Sequence, residues 1–471
     1  MASDCTGEKT IRKGGTATAR FVVAWYDHTD PELAHNKNLY ASPQPIAKHG
    51  LEVFPQLKHN AVRLADGMRS SSLPHWLQNQ VANTLSAIVI NSMYKRDGRV
   101  AFAEGQWTCF GTNARVLFNC RGIHIPSHFY THGLDCQFDK TWPMTFWVAG
   151  APWYSMFYWD YYLYTRDREF LRRRALPFME EAVAFFEDFL TEGADGKYIV
   201  NPSYSPENHP KNYKMQACIN ATMDIAAIKA LLRAVIEASR TLGANSDRIP
   251  AWQAMLDKRP AYGNNADGEF REWLWADMED NHEHRHASHL IGLYDLHDPE
   301  IMQSRELRQG ALKAIDRRMD FRRKENTGVM AFGICQLAFA AALGQADRCE
   351  EMLGWLGDNY FLDNMFSTHD PHNIFNCDIS GGYPSLVMKM LCYSEPGRID
   401  IFPAKPSSWR RGSIKGMALR GGIIMEELRW DGSKTTVTLR ADDTQKVSVT
   451  IYGKHVKNVR LKKGKPTTLA M

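Results

Sequence analysis

From about residue 145 to residue 395 this chain reads as helix after helix, with no strand pattern between them. The helical segments are Ala151–Tyr164, Asp167–Leu190, Met223–Leu242, Ile249–Lys258, Arg305–Arg318, Gly328–Leu343, Arg348–Asn359 and Pro384–Tyr393. Within Asp167–Leu190 the apolar positions are Phe170, Leu171, Leu176, Met179, Val183, Phe186 and Leu190. A chain that lays helix on helix without interleaved strands argues against an α/β sheet and for an α/α toroid. A solenoid is the alternative, but no fixed short period runs through the sequence, which counts against it.

The flanks read differently. Residues 17–26 carry the β-branched and aromatic composition of a single strand, and 43–72 look like a helical linker. Leu73-Pro74-His75-Trp76-Leu77 opens a helix to about Tyr94, with Pro74 in its first turn. After Ser394-Glu395-Pro396-Gly397 the pattern turns to short strands: Arg398–Pro403, Ile414–Arg420, Gly422–Trp430, Thr435–Ala441, Lys446–Tyr452 and Asn458–Lys462. Turns such as Asp431-Gly432 separate them, which predicts a small β-sandwich. The expected organisation is a β-strand remnant and linker over 1–42, a helical domain over 43–395 and a C-terminal β-domain over 396–471.

Composition narrows the function classes. At 471 residues and 44% hydrophobic, the chain can bury a large core in more than one domain. A net charge of +4 is mild, and no long basic run with interleaved aromatics suggests nucleic acid. The nine cysteines form no Cys-x-x-Cys pair and read mostly as buried free thiols. No apolar stretch reaches membrane-spanning length. Met1-Ala2-Ser3-Asp4-Cys5 lacks the apolar core of a signal peptide, so compartment is not readable there. Thirteen tryptophans fit sugar-stacking platforms and an aromatic core equally well.

Five stretches carry candidate chemistry. Asn201-Pro202-Ser203-Tyr204-Ser205-Pro206-Glu207-Asn208-His209-Pro210 sets Glu207 in a loop stiffened by three prolines. A lone acid on a rigid loop can present a proton, and a plain Ser-Pro turn would look the same. A general acid working near neutrality needs its pKa raised, which Tyr204 and the prolines could provide as apolar walls. His282-Glu283-His284-Arg285-His286-Ala287-Ser288-His289 fits the bare His-Glu-x-x-His zinc pattern, and equally a sugar site rich in donors and acceptors. Asp378 stands on a loop before a Gly pair and a helix opened by Pro384, or simply in a helix N-cap region. Glu104 abuts Gly105, with an exposed loop acid as the alternative. The stretch from Arg121 to Asp135 gathers His124, His128, Thr131, His132 and Asp135 among aromatics, the composition of a binding loop or a buried polar cluster.

Taken in order, these motifs resemble the catalytic part of glycoside hydrolase family 95, the α-L-fucosidase and α-L-galactosidase group, over about residues 118–430. Pro202-Ser203-Tyr204-Ser205-Pro206-Glu207-Asn208 resembles its Pro-Ser-x-Ser-Pro-Glu-Asn signature. Arg121-Gly122 with His128 and Thr131, Thr165 to Leu171, Met223-Asp224, Glu272-Trp273, His284 to Leu290, Asp378, Pro403 to Pro406 and Gly412 to Gly416 follow in the family's order. The resemblance implies an (α/α)6 barrel followed by a β-domain, with Glu207 as general acid and Asp378 in the base machinery. His128, Thr131, Asp135, Trp142, Asn208, His284, Arg285, His286 and His289 would then bind the sugar, with Trp147 and Trp153 as further candidate platforms. It implies no metal or cofactor, an oligosaccharide or polysaccharide substrate, and a secreted or periplasmic protein. The family's Leu-Asn-Ile-Asn segment has no counterpart between Gly111 and Arg121, and Ile379-Ser380 stand where the family has Gly-Asn after the Asp.

Residues 15–118 are instead similar to glycoside hydrolase family 116, the β-glucosidase and β-xylosidase group. Phe21 to Trp25, Ser72 to Leu77 and Ala103-Glu104-Gly105 carry that likeness, which implies Glu104 as the nucleophile of a retaining enzyme. A sugar-binding protein without turnover and a polysaccharide lyase on the same toroid are the other readings.

Overall fold

A computed structural model of the chain describes residues 10–18, 22–24, 26, 39–70, 72, 78, 92–94, 100–102, 111–128, 139, 142–325, 330–363, 366–376 and 378–470. The chain forms two compact units, Met1–Asp66 with Met93–Val100, and Gly67–Ser92 with Ala101–Met471. The helix Pro43–Arg69, in the first unit as far as Asp66, matches the expected linker helix and continues through the internal Pro55. The expected strand over 17–26 is not found at Ala17, Thr18, Val22–Ala24 or Tyr26, which lie outside regular structure. Strand propensity acts through a paired, half-buried surface, and β-branched residues alone do not make a strand. The expected helix over 73–94 lies largely outside the described residues, and its end, Ser92–Tyr94, is strand.

The second unit is an α/α barrel joined to two sheets. Thr222–Leu242 is the most buried helix among the described residues, buried on every side over most of its length, as an inner barrel helix requires. Gly150–Thr165, Leu176–Phe189 and Ile249–Asp257 pack on it. Ala331–Ala341 packs between Ala346–Asn359 and Asp378–Leu391. Local sequence sets several ends. Asp167 caps the turn before Leu176–Phe189, its Oδ1 accepting from Glu169 N (3.0 Å) and Phe170 N (2.9 Å). Gly122 has φ +67°, and a Cβ there would lie 2.1 Å from Glu181 O, so only glycine fits.

Two expectations need correction here. Asp378 is the first residue of the helix Asp378–Leu391, not a loop residue ahead of it. The helix runs through Gly381, Gly382 and Pro384, and a Cβ on Gly382 would stand 2.8 Å from Cys335 Sγ. Close approach of two helices, invisible in local propensity, overrides the helix-breaking residues. The same helix stops at Leu391, because Cys392–Glu395 turns through Pro396-Gly397 and pairs antiparallel with Arg398–Ile401.

The sheets contain four strands each. One runs Lys454–Leu461, Gln445–Ile451, Arg398–Ile401, Cys392–Glu395, with the middle pair parallel. The other runs Arg411–Leu419, Ile423–Asp431, Lys434–Ala441, Thr467–Ala470, all antiparallel. Thr435, Val437, Leu439 and Ala441 alternate inward, the period-two signal that made these strands readable. Cys120, Cys218, Cys335, Cys349 and Cys392 are buried free thiols.

Candidate active site

The loop carrying Glu207 is fixed by its two serines. In an extended segment residues two apart point the same way, so Ser203 and Ser205 face the interior together. Ser203 Oγ donates to Asp224 Oδ2 (2.5 Å) and accepts from Ala221 N (2.9 Å). Ser205 Oγ donates to Glu272 Oε1 (2.7 Å). Asp224, in the first turn of Thr222–Leu242, and Glu272 are both fully buried. Burial pushes the Asp224 carboxyl up to about 7 against the donors from Ser203 and Tyr204. Burial likewise raises Glu272, opposed by Arg318, whose Nη2 lies 2.5 Å from its Oε2. Asn208 Nδ2 adds a third donor to Glu272 (2.9 Å) and also reaches Asn281 O (2.8 Å).

Glu207 stands at the exposed side of this scaffold. Its main-chain N–H donates to His284 Nε2 (3.3 Å), and its carbonyl accepts from Gln216 Nε2 (2.8 Å). Its carboxylate is 15% exposed and forms an ion pair with Arg285, while His286 Nε2 lies 3.6 Å away, beyond hydrogen-bond distance. Burial pushes this carboxyl up, but His286, Arg285 and the Trp142 side chain pull it below the ordinary value by more. Burial is thus outweighed by the polar and charged groups around the carboxyl. The histidines around it are held neutral: burial lowers His284, His286 and His289. The cation facing Glu207 is therefore Arg285.

The zinc reading fails on geometry. His282–His286 lies outside any helix, so its two end histidines do not share a helical face. His282 Nε2 lies 2.9 Å from Glu269, and His286 faces Glu207. Among the described residues no group of three His, Cys, Asp or Glu is arranged to hold a metal ion.

The expected site residues divide into three groups. Trp142, Arg285, His284 and His286 gather around Glu207, and His128 joins through Trp142, ring centroids 5.5 Å apart. Asn208 and His289 are each almost wholly buried: Asn208 supports the loop from behind, while neither ring nitrogen of His289 has a hydrogen-bond partner among the described residues. Asn208 uses its amide on Glu272 and Asn281. Glu104, Thr131 and Asp135 lie outside the described residues. Of the further platforms, Trp147 is buried in the core and Trp153 donates its indole N–H to Asp295, away from Glu207.

Asp378 is half-buried at its helix start, where its N–H donates to Asn376 Oδ1 (2.6 Å). The Ala331–Ala341 helix links it to the Glu207 surroundings. A Cβ on Gly333 would fall 1.6 Å from Arg285 O, so that turn lies directly on the Arg285 backbone. Two residues on, burial and then Asp378 push the Cys335 thiol up to about 12.

Two buried arginines escaped the sequence reading. Arg318 Nη1 donates to His284 O (3.3 Å) and to His286 O, and Arg322 Nη2 donates to Arg285 O. Four apart on Arg305–Glu325, they share a face and clamp three successive carbonyls of the histidine segment. In sequence they belong to a strongly charged helix and look like surface. Asp224 and Glu272 did carry a signal, an acid set directly beside large apolar residues.

Residues 101–391 match the glycosyl hydrolase family 95 catalytic domain, and residues 393–469 match the glycoside hydrolase family 95 C-terminal domain. The chain belongs to glycoside hydrolase family 95, and its fold is the (α/α)6 barrel with a C-terminal β-domain. It is 32% identical to "Alpha-L-fucosidase 2" of Arabidopsis thaliana over 373 residues, 75% of this chain and 40% of that protein. It is 24% identical to "Probable alpha-fucosidase A" of Aspergillus niger over 333 residues, 65% of this chain and 41% of that one. The chain thus spans about two fifths of the length of these relatives. Among solved structures, a candidate kojibiose phosphorylase from the human microbiome aligns over 84% of this chain and 53% of its own, at 10% identity and a TM-score of 0.46. No helix among the described residues is long and apolar enough to cross a membrane.

Proposed function

We propose that this chain is a glycosidase of the α-L-fucosidase type, hydrolysing an O-glycosyl bond of an oligo- or polysaccharide. The observation that carries the reading is Glu207, a carboxylate on a loop clamped from behind and faced by Arg285, His286 and Trp142. Glu207 is the general acid, and Asp378 is the base that activates water. Such an inverting pair works with its carboxyl groups about 6.5–9.5 Å apart. Catalysis belongs to the 43–395 domain, with 396–471 as its β-domain, in a secreted or periplasmic protein.

At rest His286 and Arg285 hold the Glu207 carboxyl below its ordinary value, which favours the ionised state, the wrong one for donating a proton. The Arg285 side chain is 39% exposed and free to be displaced by a bound sugar. Burial is the largest single influence on Glu207, so displacing Arg285 favours the protonated acid. The ionised resting state also favours a second reading, a sugar binder without turnover. Turnover of aryl α-L-fucoside and α-L-galactoside, with β-glucoside and β-xyloside alongside, separates the two. Binding with no turnover of any member supports the second reading and removes the first. Turnover of the β-glycosides alone points to retaining chemistry.

A further inference from the structure

A cavity of about 390 Å³ lies where the barrel helices meet the sheets, and no residue of the Glu207 loop lines it. That volume falls inside the about 300–1,000 Å³ range of small-molecule sites. Its walls come from Gly150–Thr165, the segment after Ile291–Tyr294, Asp378–Leu391 and the strand end at Arg420.

The polar groups on these walls are held in place yet incompletely used. Lys389 Nζ donates to Tyr294 O (2.9 Å) and lies 2.9 Å from His297 Nε2, which leaves one ammonium N–H over. Arg420 is buried and reaches Asp160 through Nη2 (2.8 and 3.0 Å) and Glu395 and His297 Nδ1 through Nη1 (2.5 and 2.9 Å), so its terminal nitrogens are already engaged. Asp295 Oδ2 accepts from Trp153, and no hydrogen bond among the described residues engages Oδ1. The lining therefore offers one spare donor, on Lys389, and one acceptor, on Asp295, with the rings of Tyr164 and Phe339 beside them. A buried donor without a partner is unfavourable unless a ligand or water completes it.

Charge narrows the ligand. Arg420 is already matched by Asp160 and Glu395, and Lys389 is faced by Asp295, so no excess cation remains for an anion. Burial pulls the Lys389 ammonium down to about 7, which weakens anion attraction further near neutral pH. A hydroxyl suits such a lining, because it accepts from a cationic donor and donates to a carboxylate at once. Aromatic faces complement the C–H side of a sugar ring. We propose that this cavity is a second saccharide site, taking one or two neutral sugar residues independently of Glu207.

Met388 and Met417 line the cavity and serve as reporters. The full chain, labelled with 13C at its methionine methyl groups, is titrated with L-fucose, D-galactose, D-xylose and lactose, and separately with inorganic phosphate and acetate. At least one sugar is expected to shift the Met388 and Met417 signals saturably, and Glu207→Gln is expected to keep those shifts. Ser385 lines the cavity and is exposed, so Ser385→Trp should fill the space without disturbing the core and abolish the shifts. Lys389→Met should weaken the titration about tenfold, the equivalent of one lost charged hydrogen bond. Unchanged remaining methyl signals establish that each variant is folded. The proposal is overturned by silence of both reporters with every sugar, by shifts with phosphate or acetate alone, by shifts that survive Ser385→Trp, or by their loss in Glu207→Gln.

Discussion

Glu207 is carried by a loop whose flanking serines are each tied to a buried carboxylate, whereas Asp378 opens a helix held by close packing against its neighbour. Around Glu207 the geometry depends on charges: Asp224 and Glu272 below, Arg318 and Arg322 behind the histidine segment, Arg285 in front. Around Asp378 it depends on volume, with Gly382 against Cys335 and Gly333 against the Arg285 backbone. One half of the proposed pair should therefore fail when a charge is removed, and the other when an atom is added.

The largest expected effect is chemical. Glu207→Gln keeps size and burial but removes the proton, so turnover of substrates with poor leaving groups should fall about 10²–10⁴-fold. Aryl substrates with good leaving groups should suffer far less, and circular dichroism should be unchanged. Equal losses on both substrate types would assign Glu207 to binding instead. Next comes the scaffold. Arg318→Met strands the Glu272 carboxylate in a fully buried setting and drops two carbonyl contacts, so urea unfolding should report a loss of about 3–5 kcal/mol. A loss under about 1 kcal/mol, the level of an exposed ion pair, would show that the pair is solvated in solution. Gly382→Ala tests the packed half. Its Cβ must displace Cys335 Sγ from 2.8 Å, an overpacking effect of about 1–3 kcal/mol, with activity falling alongside if the helix start moves Asp378. Double substitution with Cys335→Ala should restore much of both.

These contrasts also explain how much could be read from sequence. Helical and strand periods are local, so Thr222–Leu242 and Lys434–Ala441 were legible within a residue or two. The Glu207 loop was legible because proline and serine grammar is local as well. The start of Asp378–Leu391 was not, because the approach of Gly382 to Cys335 is a tertiary fact between distant segments. The burial of Asn208 and His289 was not legible either, because polar residues of this kind read the same in sequence whether they are buried or exposed. Arg318 and Arg322 were hidden for the opposite reason: in a helix so rich in charge, nothing distinguishes a buried arginine from a solvated one.

Arg285 gives the smallest expected effect on rate and the sharpest on pH. The Glu207 carboxyl is held below its ordinary value, with Arg285 among the causes. A general acid must be protonated in the free enzyme, so kcat/KM should decline as pH rises through that depressed value. Arg285→Met removes one influence that stabilises the carboxylate and leaves burial in place. The Glu207 pKa then rises, and the declining limb of kcat/KM moves to higher pH. The sign is fixed by the role, since a base at this position would be active when ionised and its rising limb would move instead. In Glu207→Gln the limb should vanish, and a further Arg285→Met substitution should leave the remaining profile unmoved. An alkaline limb that shifts even without Glu207 would place the titrating acid elsewhere, and would shift the charge-built half of the comparison from catalysis to binding.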